Sequence, residues 1–190
     1  RVDGLPKTLQ DTINDLETYL DSENLLPDWK HKLDVCNCAD NIQEQYTHSV
    51  YICPATGGSY SHKRCRYFGA YNNKHAQVVA EIHGVVDLDS RDPDDTNVRW
   101  NNSTAISSPA TFTDEELTRE AIDRKYASRP DRTENARVFV LGDLHETSFR
   151  KDSKGGMIGS KRYFDVEKLD VTSADELADA LDGMPWSELS

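Results

Sequence analysis

The sequence predicts an α+β fold: a small, bent, mainly antiparallel sheet or open barrel with flanking helices. Three observations predict it. Short runs of β-branched and aromatic residues recur between turn residues from residue 49 onward. Two later segments carry helix-capping patterns, and an amphipathic helical pattern precedes the strands. No internal repeat is visible, so we expect one main domain over residues 49–190, preceded by a helical lead-in or linker over residues 1–48.

The lead-in is predicted from apolar spacing. Residues 8–21 place Leu9, Ile13, Leu16 and Leu20 on one helical face. Residues 25–39 contain Pro27 and the Trp29/Leu33 pair, which suggest a short second helix.

The strands are predicted from β-branched and aromatic composition. Asn72 and Asn73 fit a two-residue hairpin turn because Asn tolerates positive φ. The predicted strands cover residues 49–53, 64–71, 75–88, 137–141 and 161–166.

Helices are predicted where capping boxes occur. Thr113 with Glu116 begins a helix over residues 113–127, and Ser173 with Glu176 begins another over residues 173–182. Between the sheet and the first of these helices, residues 87–110 form an acidic and polar insertion, which we expect to be a solvated loop.

The composition is acidic, with 34 Asp and Glu against 22 Lys and Arg and a formal net charge of -12. No apolar run reaches the roughly 18 residues that a membrane helix needs. The chain begins without a signal-peptide pattern, so we expect a cytoplasmic protein whose four cysteines are not a disulfide framework.

Positive charge is nevertheless concentrated in two segments. Residues 54–76 contain no acid, and residues 149–164 contain a single one, Asp152. Aromatic rings alternate with the cations in both segments. Lys and Arg neutralise phosphates, and exposed rings stack on bases, so the two segments indicate a nucleic-acid-binding surface. The cations are Lys63, Arg64, Arg66 and Lys74 in the first segment, and Arg150, Lys151, Lys154, Lys161 and Arg162 in the second.

The runs RYFGAYNNKHAQVVAEIHGVV and RVFVLGDL, the basic glycine loop and SKRYFDVEKL together resemble the PUA-like superfamily, which includes the EVE, ASCH and YTH domains. The resemblance covers about residues 49–170. It implies a bent barrel whose pocket accepts a base, often a modified one in EVE and YTH relatives. Tyr67, Tyr71 and Trp100 are the candidates for the aromatic positions of that pocket.

We therefore expect a nucleic-acid-binding module, and more specifically a reader of modified bases that serves a fused or associated effector of a restriction or defence system. Four cations on phosphates would give a log–log salt slope of about -3 to -4. The loop over residues 154–160 would close over the ligand. The predicted binding residues are Arg64, Arg66, Tyr67, Tyr71, Lys74, Lys154, Lys161 and Arg162. No catalytic residue and no required cofactor are predicted.

Two alternatives remain open. Residues 138–146 resemble the first motif of metallophosphoesterases, which would use Asp143, His145 and His83 in a metal-dependent phosphoesterase or nuclease. The residues after Glu146 contain no further His and no Asn to complete such a site. The other alternative is a zinc-stabilised interaction domain that uses Cys36, Cys38, Cys53 and Cys65, or His62 in place of one cysteine.

Overall fold

The structure, a computed structural model, describes residues 27–56, 60–104, 111–132 and 134–189. The helix predicted over residues 8–21 lies outside these ranges, as does part of the acidic insertion. The described residues form eight strands and three α-helices. The strands are β1 (Lys32–Asn37), β2 (Val50–Pro54), β3 (Tyr67–Asn72), β4 (His75–Leu88), β5 (Thr96–Asn101), β6 (Ala136–Leu141), β7 (His145–Arg150) and β8 (Lys161–Asp165); the helices are α1 (Ile42–His48), α2 (Asp114–Ser128) and α3 (Ala174–Leu181).

The strands form an open sheet in the order β2-β6-β4-β3-β1-β8, with β5 and β7 also paired to β4. All pairs are antiparallel except β1 with β3. The long strand β4 carries the bend. Its first half pairs with β3 and β7 and its second half with β5 and β6, and its pairing register shifts at several points. The prediction of an α+β fold with a bent, mainly antiparallel sheet is confirmed.

Strands β6 and β7 follow the same edge of β4 in succession and are separated by a short interruption at Gly142. The Gly142 amide donates to the Glu81 carbonyl oxygen at 2.9 Å. A Cβ atom at Gly142 would lie 2.9 Å from the Nε2 atom of His83. Glycine therefore lets the backbone approach the His83 ring at the bend.

The helix predicted over residues 25–39 is wrong for most of its length. Pro27–His31 forms a single 3-10 turn, and Lys32–Asn37 is β1, which lies between β3 and β8. The four central residues of β1 are all buried. A strand buried on both faces lacks the polar–apolar alternation that would identify it in the sequence. The domain boundary at residue 48 stays a prediction, although β1 on its N-terminal side belongs to the sheet.

Two further strands were missed. Thr96–Asn101, within the predicted acidic loop, is β5, and His145–Arg150 is β7.

The hairpin between β3 and β4 is confirmed, and β4 covers the predicted range. Thr113 and Glu116 form the predicted capping box. At α3, Ser173 accepts a hydrogen bond from the Glu176 amide, but the Glu176 carboxylate accepts from the Thr172 amide, one residue before the cap.

The hydrophobic core has three parts, and each part is formed by a different set of strands and helices. One part packs α3 and Trp186 against β1, β3, β7 and β8. Another packs α2 against β2, β4 and β6. The third, which we call the central core, lies inside the bend and contains Tyr51, Phe68, Phe139 and all four cysteines. No helix among the described residues is long and apolar enough to cross a bilayer.

Candidate nucleic-acid interface

Arg64 lies just before β3 and is held within the fold. Its Nε atom donates to the side-chain oxygen of Asn102 at 2.8 Å, and its Nη2 atom donates to the Asn101 carbonyl oxygen at 3.1 Å. The guanidinium lies 4.0 Å from the ring centroid of Trp29. Burial lowers the pKa of Arg64. These contacts fix the guanidinium where β5 ends.

Arg66 is held by the opposite strand. Its Nη2 atom lies 2.8 Å from Glu81 Oε1, and the exposed fractions of the two side chains are 15% and 12%. The same nitrogen donates to the Thr172 carbonyl oxygen, and the guanidinium lies 5.0 Å from the Tyr67 ring centroid. Both guanidinium groups thus bond acceptors of the fold before β3, at the opposite end of this strand from Lys74.

The rings predicted to stack on bases are core residues. Tyr67 is 1% exposed and Tyr71 is 4% exposed. Tyr71 packs against Trp186 with ring centroids 5.5 Å apart, and Trp100, the third candidate, is buried in the central core. The alternation of β3 placed Tyr67 and Tyr71 correctly on one face, but α3 and Trp186 cover that face. Stacking by these rings is therefore inconsistent with the structure.

The remaining predicted cations lie together at one edge of the molecule. We call this surface the basic edge. It consists of the turn at residues 72–75, the loop at residues 151–160 and the start of β8. The Lys151 amide donates to the Lys74 carbonyl oxygen at 2.7 Å, which joins the turn to the loop. The Asn37 amide donates to the Ser160 carbonyl oxygen at 2.8 Å, which joins the loop to the end of β1. Lys161 and Arg162 begin β8, directly after this loop and beside β1.

Lys74 lies in the turn of the basic edge and Lys154 in its loop. Both are exposed, and neither ammonium group has a hydrogen bond or ion pair within the described ranges. Lys151 differs, since its ammonium group donates hydrogen bonds to oxygen atoms of Ser153, Lys154 and Gly155. These bonds stabilise the conformation of the loop.

The loop also carries an apolar tip. Ile158 is 98% exposed, the highest exposure of any large apolar side chain in the described ranges. Gly155 and Gly159, on either side of it, adopt positive φ angles of 77° and 91°. Ile158 was not predicted as a binding residue from the sequence. The signal was present, because an isolated aliphatic residue between glycines and lysines has no strand or helix face to join.

The residues of the phosphoesterase alternative line a cleft of about 540 Å³ beside the bend. His83, Asp143 and His145 all reach it. The Nδ1 atom of His145 lies 3.1 Å from Asp175 Oδ1. Burial, followed by the charge of Arg124, lowers the pKa of His83, whose Nδ1 atom is buried without a hydrogen-bond partner in the described ranges.

These three residues do not form a compact metal-ligand group. Among the residues that the structure describes, the group of three His, Cys or carboxylate donors that all lie within 4.8 Å of one another is Asp34, Cys36 and His62. All three are buried in or beside the central core. The metal-dependent phosphoesterase thus has its residues in one cleft but lacks the close ligand geometry that two-metal chemistry needs.

No protein-family model matches the chain, and no curated protein matches it. Among solved structures, the chain is similar to a mutant of ZmASCH, an ASCH protein from Zymomonas mobilis. The identity is 14%, the TM-score is 0.31, and the alignment covers 76% of this chain and 80% of that chain. ASCH is one of the domains named in the resemblance drawn from the sequence.

Proposed function

We propose that this protein binds nucleic acid along the basic edge. The observation that carries the proposal is the backbone hydrogen bond from Lys151 to Lys74, which brings the turn near the end of the first basic segment against the loop of the second in an otherwise acidic chain. A protein of net charge -12 repels polyanions over most of its surface, so phosphate is attracted only where cations are concentrated locally. Lys74, Lys154, Lys161 and Arg162 are the proposed phosphate contacts.

Charge alone would bind any polyanion, whereas bases require an apolar or aromatic surface. Ile158 supplies an apolar side chain at the tip of the loop that carries Lys154. Exposed aliphatic side chains can wedge between base steps, at the cost of unstacking them. This makes Ile158 the proposed base contact, in place of the buried Tyr67 and Tyr71.

We also propose that the interface recognises a modified base and that the protein serves an effector of a restriction or defence system. An aromatic cage would need exposed rings, and the candidate rings Tyr67, Tyr71 and Trp100 are buried. Modified bases therefore enter the experiment as one arm of the probe panel.

The test is fluorescence anisotropy with labelled single- and double-stranded DNA and RNA, each plain and with methylated bases. The variant is Lys74→Glu combined with Lys154→Glu. Its matched control is Arg99→Glu, since Arg99 is an exposed cation on β5, which pairs with the opposite half of β4. We expect the double variant to weaken binding about tenfold or more and the control to bind like the wild type.

Two results would contradict the proposal. One is that the folded wild-type protein binds no probe. The other is that Arg99→Glu weakens binding as much as the double variant, which would show a response to overall charge rather than to the basic edge.

A further inference from the structure

His83 lies at the bend of β4, and its ring has no hydrogen-bond partner in the part of the chain that the structure describes. The pairing of β4 with β6 shifts between Ile82 and Gly84, so His83 is the extra residue of a bulge, a feature that often redirects a side chain next to a binding site. The residue is 7% exposed, and neither ring nitrogen is bonded within the described ranges. Because buried polar groups normally have partners, this ring is the first indication of a ligand.

The His83 ring borders the cleft of about 540 Å³ at the bend. Phe112 and Gly142 also line this cleft, and the His83 and Phe112 ring centroids are 5.4 Å apart. A Cβ atom at Gly142 would lie 2.9 Å from His83 Nε2, so glycine leaves this edge of the ring uncovered. The volume is within the range of about 300–1,000 Å³ that is typical of small-molecule sites.

The charge around the cleft is mainly negative. Three carboxylates line it, those of Glu81, Asp143 and Asp175, and the described lining residues include a single guanidinium, that of Arg124. This guanidinium is used by the fold, since it donates to Glu120 and to two backbone carbonyl oxygens, each at 2.7 Å. The cleft should therefore attract a cation and repel an anion.

Two of the lining carboxylates keep acceptor atoms for a ligand. Asp143 is exposed and has no hydrogen bond or ion pair within the described ranges. Glu81 receives both hydrogen bonds of Arg66 on Oε1, which leaves Oε2 without a bond from the described residues. Burial lowers the pKa of His83, so its ring is neutral near pH 7 and one of its nitrogens can accept a hydrogen bond.

We propose that this cleft binds a small organic cation whose amidinium or guanidinium group bonds Asp143 and His83 and whose apolar body packs against Phe112. Amidinium and guanidinium groups are planar, and their parallel N–H donors match a carboxylate in a bidentate pair. The Phe112 ring supplies a face for a cation–π contact, and Leu141 and Ala174 supply further apolar surface.

The cation site is separate from the basic edge. Strand β7 begins at His145, which lines the cleft, and ends at Arg150, which pairs with His75 in the turn of the basic edge. The two sites therefore lie at opposite ends of β7, and they select ligands of opposite charge. The inference does not depend on nucleic-acid binding.

The experiment is isothermal titration calorimetry of the full chain with three probes of the same shape. Benzamidine is the cation, benzamide is its neutral counterpart and benzoate is the anion. We expect one benzamidine per chain with a Kd of about 0.1–1 mM. Benzamide should bind at least about tenfold more weakly, because it cannot form the charged pair with Asp143, and benzoate should not bind.

Two variants test the assigned contacts. Asp143→Asn and His83→Phe should each weaken benzamidine binding by about fivefold or more. Asp89→Asn is the matched control, because Asp89 is an exposed aspartate that does not line the cleft, and it should bind like the wild type. If His83→Phe fails to fold, Asp143→Asn and the benzamide comparison decide instead.

Three results would overturn the proposal. The folded wild-type protein binds none of the probes, or it binds benzamide or benzoate as tightly as benzamidine. The third is that folded Asp143→Asn or His83→Phe keeps the wild-type affinity, or that Asp89→Asn loses as much affinity as they do.

Discussion

Arg66 at the start of β3 and Lys74 just after its end look alike in the sequence, since both lie in the same acid-free basic segment. In the structure they differ in their partners. Arg66 lies beside β4, where Glu81 pairs with Tyr67, and so meets a half-buried carboxylate. Lys74 lies in the turn, exposed and without an acidic partner in the described ranges. Arg66 is used by the fold because an acid lies across the sheet from it, whereas Lys74 remains available to a ligand.

The largest effect that separates these two roles is expected from Arg66→Met. The substitution leaves Glu81 half-buried without its cation, and we expect the free energy of unfolding to fall by about 2–3 kcal/mol. Denaturant unfolding measures the change. Arg99→Met is the control, and for this exposed side chain we expect a change within about 0.5 kcal/mol. Binding by folded Arg66→Met should equal that of the wild type; weaker binding at unchanged stability would place Arg66 in the interface.

A second structural arginine extends the comparison to pH. Arg129 Nε lies 2.5 Å from Glu44 Oε1. Burial alone would raise the pKa of Glu44, but the hydrogen bond and charge of Arg129 outweigh it, and the net shift is downward from 4.5. The stabilisation is therefore complete above pH 4.5 and is lost as the pH falls through the lowered pKa.

Arg129→Met removes this dependence. Unfolding measured from pH 6 down to about pH 3 should show a loss of stability for the variant that is smaller than the wild-type loss by about 1 kcal/mol. Arg119→Met is the control, because Arg119 is an exposed arginine whose partner, Glu115, is also exposed. Parallel pH profiles for wild type and Arg129→Met would show that the pair does not stabilise the fold.

The smallest effect is expected at the loop tip. Ile158 has no packing to lose, so Ile158→Ser should change the free energy of unfolding by less than about 0.5 kcal/mol. Binding should weaken by about two- to fivefold, because only the apolar base contact is removed. Anisotropy with the best probe measures this. Unchanged affinity would leave the basic edge with phosphate contacts alone.

The fold class and the strands β2, β3, β4, β6 and β8 could be predicted because their signals are local. The Asn72–Asn73 turn, the β-branched run of β4 and the Thr113 capping box depend on neighbours in sequence. Strand β1 could not be found this way, since it is buried on both faces and takes its identity from β3 and β8.

The candidate site was predicted in part for the same reason. Composition identified the two basic segments, but the covering of Tyr67 and Tyr71 by α3 and the pairing of Arg66 with Glu81 are tertiary contacts. The buried Asp34 was missed because one acid in an apolar strand has no local pattern. Its contact with His62 becomes visible only when β1 is placed in the sheet.

The most direct test of the proposed interface is the salt dependence of binding by the wild type, by Lys74→Glu combined with Lys154→Glu, and by Arg66→Met. Four phosphate contacts at the basic edge predict a wild-type log–log slope of about -3 to -4. The double-lysine variant should lose about 1.4–1.8 from the magnitude of this slope, and Arg66→Met should keep the wild-type value. A slope that is unchanged in the lysine variant, or reduced in Arg66→Met, would contradict the assignment of Lys74 and Lys154, rather than Arg66, to the ligand.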